Sequence, residues 1–284
     1  MHKLVKEIRQ CASMSQEEFA KELGTTPLSI NRWENNKTIP NNMAQIQLFD
    51  FCKKHSIDLL DCIIKEVQID SSDDSLILYH GSKKGIEGEI VPSSRDTCDF
   101  GRGFYLGTDP IQPLTLICDE IKPIIYTIKL NLSGLKVLKI DLGIEWAMLI
   151  AFYHGYIRGA KGSNIYKKYE KMADGYDVIV GYIANDRMYR VMKNFFDREL
   201  TDVALFHSLS SLELGIQYVC KTKKACDNIE IIGKRGLSTL ELCLLKEESA
   251  RRRAEGIHLT DEVLLKYRRS GKYFDEILRS EKYE

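Results

Sequence analysis

The acidic stretch Asp70-Ser71-Ser72-Asp73-Asp74-Ser75 constrains this chain more than any other feature. It is polar, lacks a large apolar residue, and separates a segment patterned at helical spacing from one patterned mainly as short strands. A chain interrupted in this way reads as two units, residues 1–68 and 76–235, joined by a linker at 69–75 about which they move. Residues 236–284 form a helical C-terminal extension. With 284 residues in all, each unit is long enough to bury a core of its own.

The first unit predicts five helices. Leu4, Val5, Ile8 and Cys11 or Ala12 make one apolar stripe. Ser15-Gln16-Glu17-Glu18 has the form of a capping box, in which Ser15 and Glu18 satisfy each other's backbone amides. Phe19, Ala20 and Leu23 supply the buried face of that second helix, and Gly24 ends it. Pro27 then occupies the first position of a third helix, where a missing N–H is harmless. Met43–Phe51 and Ile57–Val67 complete the bundle.

The run from Ser15 to Pro40 resembles the helix-turn-helix of phage-repressor-type DNA-binding domains, in which the second helix of the motif enters the major groove. The resemblance implies DNA contacts: groove or phosphate contacts from Gln16, Ser29, Asn31 and Arg32, with Asn36 and Lys37 next to the backbone, and Ile30 and Trp33 turned toward the core. A homodimer formed through the last helices would suit a palindromic operator. Residues 1–68 nevertheless hold nine Lys plus Arg against nine Asp plus Glu. This lacks the basic excess of a strong phosphate reader. Dimerisation or contact with a protein partner is the alternative use of the module.

Charge balance excludes other classes. The whole chain carries 41 basic and 41 acidic residues, so no global field draws it to nucleic acid or to a membrane. Its eight cysteines show no CxxC pair and no clustered His, which argues against a metal site or a disulfide framework and for reduced thiols in a cytoplasm. The charged N-terminus lacks a signal-peptide core, and no apolar run approaches the about eighteen residues of a membrane span. A cytoplasmic location is expected.

The second unit carries the chemistry. Strands are predicted at Leu76–Tyr79, Ile124–Leu132, Val137–Ile140, Val178–Gly181, Ile216–Lys221 and Ile229–Ile232, and helices at Trp146–Tyr156, from 184 or 185 to 196, and at Lys223–Asn228. The first strand ends in Leu78-Tyr79-His80-Gly81-Ser82. About twenty residues later comes Asp99-Phe100-Gly101-Arg102-Gly103-Phe104-Tyr105-Leu106-Gly107. These two runs put an imidazole, a phenol and bare backbone within reach of one ligand, because glycine admits close approach and tyrosine offers a flat face. Taken singly, His80 and Tyr105 also suit a packed core.

The two motifs resemble the ADP-ribosyltransferases of the diphtheria-toxin and poly(ADP-ribose) polymerase type. More closely, they are similar to a family of bacterial domains that share these motifs and the run Tyr176–Tyr189, over roughly residues 76–235. The resemblance implies an α+β fold with a split sheet and NAD as substrate. His80 would bond the adenosine ribose, the Gly81 backbone would bond the nicotinamide amide, Ser82 would support that corner, and Tyr105 would stack on nicotinamide beside Gly103 and Phe104.

A third family position, a glutamate at the start of a late strand, falls on Gln217, within Gly215-Ile216-Gln217-Tyr218-Val219. An amide accepts a hydrogen bond from a ribose hydroxyl but brings no negative charge. Gln217 therefore positions the sugar for slow transfer, or Glu213 or Asp186 enters the site, or the unit binds nucleotide without chemistry. A solvent-facing strand residue is the plain alternative. Asn185 or Asp186 reads as a helix cap or, with Arg187, as a pyrophosphate contact. Arg102 is a second pyrophosphate candidate or an exposed loop residue.

The C-terminal extension reads as two amphipathic helices broken near Gly256 and Gly271. Its Arg251-Arg252-Arg253 cluster is a nucleic-acid or acidic-partner contact, or a solvated face. The expectation is an NAD-dependent mono-ADP-ribosyltransferase acting on a protein or nucleic-acid acceptor. Resemblance to bacterial relatives adds a toxin or phage-defence role and an antitoxin partner. A regulator that senses NAD or ADP-ribose without catalysis is the alternative.

Overall fold

The computed structural model describes residues 1–68, 76–183, 186–210, 215–267 and 270–280, with the backbone alone at 186–190, 253, 255–261, 263–265 and 280. The acidic stretch 70–75 lies outside the described residues. Five helices open the chain: α1 (His2–Cys11), α2 (Gln16–Glu22), α3 (Pro27–Glu34), α4 (Asn42–Lys54) and α5 (Leu60–Val67). The expected signals act as such. Glu18 N–H donates to Ser15 Oγ while Ser15 N–H donates to the Glu18 carboxylate. Thr26 caps α3 with Pro27 at its first turn. Leu4, Val5, Ile8, Phe19, Ala20, Leu23 and Ile30 are buried, and Cys11 is exposed.

The rest of the chain is built on seven strands: β1 (Leu76–Ser82), β2 (Phe104–Gly107), β3 (Ile124–Leu130), β4 (Val137–Lys139), β5 (Val178–Tyr182), β6 (Ile216–Cys220) and β7 (Ile229–Gly236). Helices α6 (Ile111–Ile117), α7 (Ile144–His154), α8 (Asn164–Met172), α9 (Asp186–Phe196), α10 (Asp202–Ser210) and α11 (Lys223–Cys226) fall between them, and α12 (Thr239–Tyr267) and α13 (Phe274–Ser280) follow. The architecture is α+β, with a helical bundle ahead of a mixed sheet in the order β4-β5-β6-β2-β1-β3-β7.

That sheet is nearly two sheets. β1 pairs with β3 along its whole length, from Leu76↔Leu130 to Ser82↔Ile124, and β2 pairs with β6 from Phe104↔Cys220 to Gly107↔Gln217. Between them β1 and β2 share a single register pair, Tyr79↔Gly107. Past that pair, the β2-facing edge of β1 opens. One face of the sheet is covered by α7, whose run Trp146–Ala151 is buried without a break, as in a helix packed on every side.

The two halves share a core. Leu4 of α1 and Ile63 and Val67 of α5 pack with Tyr79 of β1, Leu114 of α6, Ile125 of β3 and Leu245 of α12. The Thr127 hydroxyl donates to the Val67 carbonyl at 3.0 Å. Leu240 of α12 joins the bundle core, and its N–H donates to Gln45 Oε1 at 3.1 Å. The expectation of units moving about a linker is corrected by this shared packing. The predicted break near Gly256 is also corrected: α12 runs unbroken to Tyr267, and the turn falls at Gly271 with φ +90°. A glycine costs a helix about 1 kcal/mol, less than a long packed helix gains over its first turns.

Candidate functional site

A cleft of about 650 Å³ opens where the sheet is barely joined. Tyr79, His80 and Gly81 come to it from β1, Tyr105 and Gly107 from β2, and Gln217 from β6. The loop before β2 adds Arg95 and Asp99, the end of α7 adds His154, and α12 adds Ser249 and Arg252. Four residues read from the sequence, His80, Gly81, Tyr105 and Gln217, thus meet at one opening from three strands.

His80 bridges the seam. Its Nδ1 lies 2.8 Å from the Tyr105 carbonyl oxygen, which can only accept, so Nδ1 carries the proton and Nε2 is the ring's acceptor. The imidazole stacks on Phe104, with centroids 4.4 Å apart. Burial lowers its pKa, against the opposing pull of the Tyr105 carbonyl. Gly81 is needed for packing as well as access: a Cβ there would stand 2.7 Å from the Pro113 oxygen and 2.9 Å from Ile117 Cγ2 of α6.

The Tyr105 phenol is committed to its own loop. It donates to the Gly101 carbonyl at 2.7 Å and accepts from Phe100 N–H at 3.0 Å, and burial pushes its pKa up. What Tyr105 presents to the cleft is its ring. The same loop is held by Lys221, whose ammonium donates to the Phe100 carbonyl and lies over the Tyr153 ring; burial brings its pKa down to about 8.

Gln217 is 5% exposed and sits on the sheet between two glycines, Gly107 on β2 and Gly181 on β5. Cross-strand neighbours share a face: Gly107 leaves the cleft open on one flank of Gln217, while on the other the Phe100 ring takes the place of a Gly181 side chain, 2.7 Å from where its Cβ would stand. Its Nε2 lies 3.0 Å from Asp99 Oδ2 and 3.0 Å from the Tyr182 carbonyl, which also accepts from the Trp146 indole at 3.1 Å. Both partners are acceptors, so the amide orientation is fixed and its oxygen is turned away from them. The reading of Gln217 as a solvent-facing strand residue is corrected.

Asp99, 7% exposed, also faces His154 Nε2 at 3.4 Å. Sequence reasoning quoted Asp99 as the head of its motif without giving it a role. His154 had no local signal, because its place depends on where α7 ends. That end is set by Gly155, at φ +83°, whose N–H bonds back to the Ala151 and Phe152 carbonyls.

Other candidates lie elsewhere. The Ser82 hydroxyl accepts from Gly85 N–H at 3.0 Å and closes a turn. Arg102 points outward between the buried Gly101 and Gly103 and pairs with Asp96 at 2.9 Å. Gly103 lets β2 approach β6, since a Cβ there would collide with Val219. Phe104 packs behind His80 in the core. Asn185 and Glu213 lie outside the described residues, as do the side chains of Asp186 and Arg187; the backbone of α9 starts at Asp186. Among the described residues the arginines that line the cleft are Arg95 and Arg252, the latter bonded to Glu248 at 2.5 Å. Among the described residues no His, Cys, Asp and Glu cluster could hold a metal ion, and no helix is long and apolar enough to cross a membrane.

At the other end of the molecule, Arg32 and Lys37 are exposed at and just past the end of α3, and Asn36 adopts the left-handed conformation that ends the helix, φ +55°. Gln16 is drawn inward, donating to Glu34 at 2.8 Å and accepting from Asn31 at 3.4 Å. Ser29 Oγ bonds Thr26 Oγ1 at 3.0 Å. Ile30 is buried and Trp33 packs against the bundle core, as expected.

Residues 5–44 match a helix-turn-helix family, so the bundle holds a helix-turn-helix DNA-binding module. No curated protein and no solved structure matches the chain. Residues 76–231, more than half of its length, match a family described as "Protein of unknown function (DUF3990)". The cleft and the sheet that frames it lie mainly within that segment, with α12 adding a wall from beyond it, and the chain belongs to this family.

Proposed function

We propose that the second unit is an NAD-dependent mono-ADP-ribosyltransferase, tethered to DNA by the first. The observation that carries this reading is the meeting of His80, Gly81, Tyr105 and Gln217 from three strands at one cleft. Its volume is in the range of small-molecule and cofactor sites, about 300–1,000 Å³. His80 Nε2 would accept a hydroxyl of the adenosine ribose, and the open edge of β1 at Gly81 would bond the nicotinamide amide. The Tyr105 ring would stack on nicotinamide, and the Gln217 oxygen would accept a hydroxyl of the reacting ribose. Arg95 and Arg252 would take the pyrophosphate.

In the reaction the bond between nicotinamide nitrogen and ribose C1′ breaks. The electron pair leaves with the nitrogen, which neutralises the pyridinium, and C1′ becomes an oxocarbenium-like cation. A nucleophile on the acceptor forms the new bond at C1′ and loses its proton. Stacking on Tyr105 and the Gly81 backbone would hold the leaving group, and the fixed Gln217 amide the ribose, while charge moves to the sugar.

A nucleotide sensor without catalysis is the second reading, favoured by the neutral Gln217 at the sugar. One experiment separates the two. Nicotinamide release from NAD is measured with full-length protein, with and without DNA, RNA and cell extract, for wild type, His80→Ala and Tyr105→Ala. Acceptor-dependent release that falls about a hundredfold in both variants, equivalent to ~2.7 kcal/mol of barrier, is expected. Saturable NAD binding without release would replace the transferase by the sensor.

A further inference from the structure

The transfer proposed above leaves a cation on the sugar, and Gln217 cannot offset it. Three carboxylates line the cleft among the described residues: Asp99, Asp109 and Asp119. Asp119 pairs with Lys246 at 3.5 Å on the exposed rim. Asp109, half-buried, accepts from Ile111 N–H at 3.0 Å in the turn that leads into α6. Asp99 alone of the three is buried, and it is joined to Gln217, which lines the same cleft beside Gly107.

We infer that Asp99 supplies the negative charge for the reacting ribose, with Gln217 as the neutral arm that positions the sugar. A buried carboxylate acts through a medium of low dielectric, where a fixed charge is felt more strongly than in water. The Gln217 N–H that bonds Oδ2 orients the amide so that its oxygen serves the hydroxyl, while the charge stays one residue behind it. Charge and hydrogen bonding are thus divided between two side chains from separate segments, a loop and β6. The inference rests on the transferase reading, because the charge matters only where a cation forms.

The test is a charge swap in the full-length protein, scored by acceptor-dependent nicotinamide release, by the dissociation constant for NAD and by the thermal midpoint. Asp99→Asn is expected to lose about a hundredfold in release while NAD binding changes by less than about threefold, which corresponds to under ~0.7 kcal/mol. Gln217→Glu alone is expected to gain nothing, because two adjacent carboxylates repel and one takes up a proton. The double variant Asp99→Asn with Gln217→Glu restores one charge and one amide in reversed places, and it is expected to recover release to within about tenfold of wild type.

Full release by Asp99→Asn, or a gain in Gln217→Glu alone, would overturn the role of Asp99 while leaving the transferase standing. An inert wild type would remove both. Should Asp99→Asn fail to fold, the double variant decides: a folded but inactive double variant overturns the inference, and a recovered one supports it.

Discussion

Glu34 and Asp99 each meet a glutamine with their carboxylate side chains nearly covered, 5% and 9% exposed, and they are met differently. In the bundle, Glu34 receives Arg9 Nε at 2.7 Å, Arg9 Nη2 at 3.1 Å and Gln16 Nε2 at 2.8 Å. At the cleft, Asp99 is held by the Gln217 amide at 3.0 Å and faces the His154 imidazole at 3.4 Å. A guanidinium fork both orients and neutralises a carboxylate, whereas a neutral amide orients it by hydrogen bonding alone. The first arrangement fastens α1 to α2 and α3. The second sets a carboxylate at the wall of an opening, a placement that favours a site over a fastener.

Removing the carboxylate should therefore cost most in the bundle. Glu34→Ala leaves Arg9 with its Met14 carbonyl bond but without its counterion, and is expected to destabilise the bundle by about 3 kcal/mol. Hydrogen exchange of amides in α1–α3 would register the loss; unchanged protection would show that the ion pair is dispensable. Acid should act in the same direction. Burial alone would raise the Glu34 pKa, but hydrogen bonds from Arg9 and Gln16 and the charges of Arg9 and Lys6 outweigh it, and the net shift is downward. A carboxylate depressed in the folded state stabilises above its unfolded value and loses that contribution as pH falls through the folded one. The loss in bundle protection should accordingly begin below about pH 5 and be absent in Glu34→Ala.

At the cleft the same removal should cost little stability. Asp99→Asn keeps an oxygen for Gln217 and relieves a buried charge, so its unfolding free energy is expected within about 1 kcal/mol of wild type, on either side. Thermal or urea unfolding of the full chain measures this. A loss as large as that of Glu34→Ala would make Asp99 a fastener after all and erase the contrast.

The contrast also explains what could be read from the sequence. Capping signals, Pro27 and the stripe Leu4-Val5-Ile8 are local, and the bundle they specify forms where they fall. The same holds for strands such as β3, in which the apolar Ile124, Tyr126, Ile128 and Leu130 alternate along one run. His80, Gly81 and Tyr105 were legible because glycine beside a ring-bearing residue is a local pattern. Asp99 with His154, and Arg252 with the cleft, are brought together across large separations by α7 and α12. No spacing encodes that. The helices α6, α8 and α10 were missed as well: α10 and the apolar α6 have little amphipathic pattern, and α8 is a short, strongly charged run between turns. Arg102 illustrates the converse, a residue inside a legible motif that turns away from the cleft.

That residue supplies the smallest expected effect. Arg102 and Asp96 are 62% and 75% exposed, and an ion pair in open solvent contributes about 0–1 kcal/mol. Arg102→Ala should shift stability by less than about 0.5 kcal/mol and leave NAD affinity within about twofold of wild type. Arg252→Ala removes a guanidinium that lines the opening, and should weaken NAD about tenfold, the worth of one charge-assisted hydrogen bond. Titration calorimetry on the two variants side by side compares a cation chosen by motif with one chosen by place. Equal weakening would mean that the loop around Arg102 folds inward over the ligand, and the cleft would then be closed by its own motif as well as by α12. Weakening in Arg252→Ala alone would give the extension a direct part in binding, on the helix that also carries Leu240 into the bundle core.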